Sequence, residues 1–230
     1  MKVALCLSGR PRSYKEGYEY HKRNLLDHHD VDIFIHSWED VDNDAFQFID
    51  YFYDPVAITL SPTFDDKAFE KYPVENPSWP PKNAIHMMYS VFKANELKRI
   101  NELTKGFVYD IVIRSRFDFA LNRQIDFTIE PGKVYVPNDY IKGRITPNGI
   151  ICNDQFAIGD SPTMDLYSNT FWNIDRAASI GAPIIGEDLL SVNLQIAGVI
   201  GEKMIYIDMN HPFPPGKYNN TPHSLLRDDL

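Results

Sequence analysis

The sequence predicts an α/β domain, with a mixed, mainly parallel sheet flanked by helices. Three observations carry this. Short apolar runs rich in β-branched and aromatic residues, such as Val3 to Leu7 and Ile33 to Ile35, recur along the chain and read as strands covered on both faces. Between them lie segments with apolar residues at helical spacing, clearest from Ala84 to Leu103. The strand-like runs end in polar or charged residues, and in open α/β sheets ligands bind beyond the carboxyl ends of the strands.

Composition narrows the class. A chain of 230 residues is long enough for one good core and short for two full domains. The net charge of −9 excludes a global field that draws in nucleic acid, so any anionic ligand must be held by local arginines. Cys6 and Cys152 supply neither zinc spacing nor a disulfide framework, and Cys6 reads as a small core residue. No apolar run reaches the length of a transmembrane segment, and Val3 to Leu7 is too short for a signal-peptide core.

In chain order, Lys2 to Leu7 is the first strand. Ser8-Gly9-Arg10-Pro11-Arg12 follows as a turn, with Gly9 free to take positive φ and Pro11 fixing the chain beside two arginines. The turn is placed like a phosphate-binding loop, yet it is neither a dinucleotide fingerprint nor a P-loop. The alternative for Arg10 and Arg12 is a solvated loop. Ser13 is a candidate cap for a helix running through Tyr18 to about Leu26. Val31 to Trp38 is the second strand; its His36 is more often a satisfied structural residue than a ligand. Val56 to Leu60 reads as a third strand, and Phe64 to Tyr72 as weak helix or loop.

The helix from Ala84 to Leu103 has Ile85, Met88, Val91, Phe92, Leu97, Ile100 and Leu103 at core spacing and leaves Lys93, Lys98 and Arg99 on a wetter face. Gly106 ends it. Beyond the central strand, Lys133 to Pro137 is a short strand and 141–153 a Gly-, Pro- and Asn-rich loop. Asp154 to Gly159 is a further strand. Ser161 or Pro162 opens a helix, and Gly186-Glu187-Asp188 opens another to about Ala197. Glu187 and Asp188 serve the helix dipole there unless they do chemistry. Lys203 to Ile207 is the last strand, followed by Asp208-Met209-Asn210-His211 and a loop-like tail.

The chain is organised around Tyr109 to Leu121. Its core run, Ile111 to Ile113, turns abruptly into charge. Arg114, Arg116 and Asp118 alternate and so point to one side of an extended chain. Two guanidiniums and a carboxylate at a core strand's end are expensive to bury unpaired. Two readings stay open: a site for a phosphorylated ligand and a divalent metal, or an internal Arg–Asp ion pair that closes the strand.

Four features fall in one order: the arginine-bearing first loop, the central strand ending in a carboxylate, the carboxylate pair at a helix start, and the late His211. This order resembles the GT-A fold of nucleotide-sugar glycosyltransferases. It is most similar to small bacterial and viral glycosyltransferase-like proteins with Ser-Gly-Arg-x-Arg, a second strand like Asp-Ile-Phe-Ile-His-Ser-Trp, and Arg-x-Arg-x-Asp. The resemblance implies a single GT-A-like domain over 1–230, with its nucleotide-binding part at about 1–121 and its acceptor part at about 122–230. Ser8, Gly9, Arg10 and Arg12 would line the nucleotide, with Arg114 and Arg116 toward the phosphates. Asp118 would stand at the last Asp of Asp-x-Asp and, with His211, hold Mn²⁺ or Mg²⁺. Asp188 would be the base of an inverting transfer to a glycan or other hydroxyl acceptor, with Glu187 beside it. The loop 141–153 would be a lid. The location implied is cytoplasmic, in a bacterium or a virus-infected host cell. In one respect the sequence departs from the family, because Arg116 replaces the first Asp of Asp-x-Asp.

Overall fold

The structure is a computed structural model that describes residues 1–74, 80–125, 127–137 and 152–207. Its strands are β1 (Val3–Ser8), β2 (Val31–Trp38), β3 (Ala57–Ser61), β4 (Ile111–Ser115), β5 (Val134–Pro137), β6 (Phe156–Gly159) and β7 (Met204–Ile207). They form one seven-stranded sheet in the order β3-β2-β1-β4-β6-β5-β7. Only β6 runs against the others, so the sheet is mixed and mainly parallel, as the sequence predicts. No helix among the described residues is long and apolar enough to cross a membrane.

The strands alternate faces with the pleat. Val3, Leu5, Leu7, Ile111 and Ile113 point to the face covered by α1 (Tyr14–His21) and α2 (Asn43–Tyr53). Ala4, Cys6, Phe34 and Val112 point to the other, under α3 (Pro81–Lys105), α4 (Ser161–Ser168) and α6 (Gly186–Ile196). The short α5 (Ile174–Ser179) lies between α4 and α6 in the chain. Burial pushes the Cys6 thiol up to about 12, so it is an inert core group rather than a nucleophile.

Four elements differ from the sequence reading, the unforeseen α5 among them. Sequence reading passes over α2, whose Asp42 caps the backbone N–H groups of Asp44 and Ala45. Its buried stripe is Ala45, Ile49 and Tyr53, one residue in four. Ser13 is not a capping side chain; it stands before α1 in the left-handed region at φ 42°. The wet face assigned to α3 is also corrected. Lys98 is 0% exposed, whereas Ile100 and Leu103 are 53% and 80% exposed. The buried stripe of α3 runs Ala84, Met88, Val91, Asn95, Lys98 and Glu102, and its last turns bury charge because α4 offers Asp165 and Ser161 as partners.

Two buried histidines set an acid limit on stability. His21 bonds the Tyr53 hydroxyl at 2.9 Å and Ser115 Oγ at 3.2 Å; burial lowers its pKa to about 4, although Asp118 pulls the other way. His36 bonds Ser90 Oγ at 2.7 Å and Ser61 Oγ at 3.0 Å, and burial, helped by Lys93, lowers it to about 3. Both values lie below that of an unfolded histidine, about 6.5, so the unfolded chain takes up protons first as pH falls. Stability is therefore fully present above about pH 6.5 and is lost toward pH 4 and below, by about 1.4 kcal/mol per pH unit for each ring. Urea unfolding midpoints should fall between about pH 7 and pH 5; a flat profile contradicts the buried, neutral assignment.

Candidate functional site

The site lies where the strand order changes direction. From β1 the chain steps outward through β2 to β3, then returns to place β4 on the other side of β1. The loops after β1 and β4 leave the sheet at the same edge, beyond the carboxyl ends of the strands, where ligands bind in open α/β sheets. The register sets Cys6 beside Arg114 and Leu7 beside Ser115, so Ser8-Gly9 and Arg116-Phe117-Asp118 emerge side by side.

Gly9 takes φ 105°, and its N–H donates to the His36 carbonyl at 3.2 Å, tying the turn to β2. Ser8 Oγ is buried without a hydrogen-bond partner among the described residues. Arg10 is held two-pronged by Asp40, at 2.9 and 2.7 Å, and it holds the Asp40 carboxyl below its ordinary range. Arg12 is exposed.

On the neighbouring strand, β4 stays extended only to Ser115; the Phe119 N–H donates back to the Arg116 carbonyl at 3.4 Å, so Arg116 to Phe119 is a turn. Arg116 Nε and Nη2 donate to the two oxygens of Asp118, each at 2.7 Å. Burial works against the Arg116 charge, but the Asp118 carboxylate outweighs it and raises the pKa. The ion-pair reading of this stretch is thus realised. Arg114 stays apart from the pair. It is 2% exposed, burial lowers its pKa, and Nε, Nη1 and Nη2 find no hydrogen-bond partner among the described residues. Helix α1 packs directly on this turn, because a Cβ at Gly17 would lie 1.7 Å from the Phe117 carbonyl oxygen.

The start of α6 reaches the same edge through β6. Ser115 pairs with Phe156, and two residues earlier the Asp154 carboxylate lies against Gly186, 2.2 Å from where a Cβ would stand. Glu187 and Asp188 follow; Asp188 is buried, Glu187 is half-buried, and both interact with other groups. Asp154 and Tyr167 are additions to the site that sequence reading misses. Both lie within electrostatic reach of Arg114, and the sequence signal was only that Asp154 stands at the start of a strand-like run. His211 and most of the loop 141–153 lie outside the described residues, which also contain no group of three or more His, Cys, Asp or Glu able to hold a metal ion. With both Asp118 oxygens on Arg116, a divalent cation there would share an oxygen with the guanidinium.

No family model matches the chain, and no curated protein matches it.

Proposed function

We propose that this protein is a glycosyltransferase that moves a sugar from a nucleotide-sugar donor to a hydroxyl acceptor with inversion. The observation supporting it most is the switch point between β1 and β4. It juxtaposes the Ser8-Gly9-Arg10-x-Arg12 turn with Arg116 and Asp118, while Asp154 brings the α6 carboxylates to the same edge. Gly9 lets a backbone turn approach phosphates, and Arg12 neutralises them, with Arg116 adding less while Asp118 holds it. The acceptor oxygen attacks the anomeric carbon, and the bond to the diphosphate breaks with its electrons leaving on the diphosphate. Asp188 takes the hydroxyl proton. Glu187 lies about 100° away round the helix, within electrostatic reach of Cys152 and Tyr167, and the role of base falls to Asp188 on the family resemblance. Arginines stabilise the charge that gathers on the leaving group. Mn²⁺ or Mg²⁺ would add Lewis acidity; the described residues do not by themselves complete a site for it, so no step here depends on it. A cytoplasmic location belongs to the same reading.

The test is release of nucleoside diphosphate from a panel of UDP-, GDP- and dTDP-sugars with hydroxyl acceptors. Binding without release supports a non-catalytic nucleotide- or glycan-binding module instead, which the Arg116–Asp118 pair in place of Asp-x-Asp favours. Asp188→Asn should lower transfer by about 10²-fold or more while sparing donor binding. A retained anomeric configuration, read by NMR, removes Asp188 from the role of base. In the first loop the two arginines should differ. Arg12→Ala should weaken nucleotide binding by about 1–3 kcal/mol, the scale of a charge-assisted hydrogen bond. Arg10→Ala should weaken it less, because Asp40 already occupies that guanidinium. Equal losses measured by calorimetry contradict this ordering.

A further inference from the structure

Arg114 is the most anomalous charge in the described chain. A guanidinium carries five N–H donors in a planar fork shaped for two oxygens of one anion. Here the fork is buried, and none of its three nitrogens has a hydrogen-bond partner among the described residues. Its neighbours in the sheet register, Cys6 and Ala157, are small side chains without an oxygen. The groups within its electrostatic reach among the described residues are Tyr167, Asp154, Arg116, Asp118 and the buried Cys152 thiol, which burial keeps neutral. Asp118 is committed to Arg116. The Tyr167 hydroxyl donates to the Asn153 carbonyl at 3.4 Å. Asp154 remains: a half-buried carboxylate with no ion pair among the described residues, its Oδ2 turned to the start of α6 at Gly186.

The backbone around Asp154 is pinned on both sides. The Cys152 N–H donates to Ser191 Oγ at 3.1 Å, and the Gln155 N–H donates to Asn153 Oδ1 at 2.8 Å. Any swing of the Asp154 carboxylate is therefore a side-chain rotation about a held backbone. Ser8 Oγ, also buried and unpartnered, lies on the same face of the sheet as Arg114, on the neighbouring strand and nearer the edge.

We propose that Arg114 is the floor of a closed oxyanion site guarded by Asp154, which a phosphate-class anion enters as the Asp154 carboxylate swings away. A neighbouring carboxylate leaves the fork unmatched, so the ligand brings more charge. Phosphate carries up to about −2 near neutral pH and offers three acceptor oxygens, two for the fork and one for Ser8. The inference shares Arg114 with the reading above, which turns it toward the donor's phosphates, and adds the Asp154 guard and the Ser8 contact, neither of which requires a nucleotide or a sugar.

Isothermal titration of the whole chain with inorganic phosphate tests it. The wild type should bind. Arg114→Gln should bind at least about tenfold more weakly, the loss of a charge-assisted hydrogen bond. Asp154→Asn should bind at least about threefold more tightly, because a like charge facing the anion is gone. These opposite signs separate a ligand site from a structural arginine, whose loss would lower stability without changing phosphate affinity. If Arg114→Gln does not fold, the half-buried Asp154→Asn decides. Unchanged or weaker binding in Asp154→Asn overturns the proposal, as does wild-type affinity in a folded Arg114→Gln or no binding by the wild type at about 10 mM phosphate. Titrating UDP and GDP alongside keeps the two readings apart. Nucleotide binding without phosphate binding removes the guarded site and leaves the glycosyltransferase reading standing; phosphate binding alone does the reverse.

Discussion

Asp118→Asn lowers folding stability by about 3 kcal/mol or more, with or without divalent metal. Asp118 is 1% exposed and gives both oxygens to Arg116 at 2.7 Å. Asparagine keeps the shape but offers one acceptor and no charge, so a largely covered guanidinium loses its counterion. Breaking such a pair from one side is far more damaging than replacing both partners by apolar groups. The damage spreads through the turn, because α1 contacts Phe117 through Gly17 without room for a methyl group. The same variant also tests the metal. If Asp118 lends an oxygen to Mn²⁺ when the donor binds, Mn²⁺ should strengthen nucleotide-sugar binding in the wild type and not in Asp118→Asn. Urea unfolding with and without Mn²⁺ reads the first effect, and donor titration reads the second. A variant as stable as the wild type contradicts the ion pair; an equal Mn²⁺ response in both proteins contradicts the ligand role.

What the sequence showed follows from which signals are local. β1, β2 and β4 were legible because each is an apolar run with period-two faces, and their polar ends marked the sheet edge where the loops carrying Arg12 and Arg116 emerge. The helix start at Gly186 was legible because its acids sit in the first turn, where the dipole favours them. α2 was equally local, with Asp42 as cap, but Phe46, Phe48 and Phe52 blur its four-residue stripe. Asp154 and Tyr167 were not legible. They come within electrostatic reach of Arg114 only because β6 turns back antiparallel to β4, bringing Asp154, and α4 lays Tyr167 on that face of the sheet. The solitude of Arg114 was also invisible, since alternation placed it with Arg116 and Asp118 while the chain turns after Ser115.

Lys98 failed for a different reason: a lysine at a helical position is solvent-facing by default, and burial is the exception that needs partners. Two of those partners, Asp165 and Ser161, come from α4, and the third, Glu102, stands one turn further along α3. Nζ of Lys98 lies 2.8 Å from Asp165 Oδ1 and 3.1 Å from Glu102 Oε2, and it also donates to Ser161 Oγ. Glu102 in turn accepts from the Tyr109 N–H at 2.9 Å and from Ser161 Oγ at 2.7 Å. One buried ammonium thus joins α3, α4 and the segment that leads into β4. Lys98→Met keeps most of the apolar stem and removes the charge, leaving Glu102 buried beside Asp165 with no cation between them. The expected loss is about 3–5 kcal/mol, measured by urea unfolding. Glu102→Gln in the same chain should recover part of it, because the uncompensated carboxylate, not the missing packing, carries most of the penalty. Residues in one network couple, so the double variant should be less destabilised than the sum of the single ones. A Lys98→Met loss below about 1 kcal/mol, or strict additivity in the cycle, means that this charge is not what fastens α4 to α3.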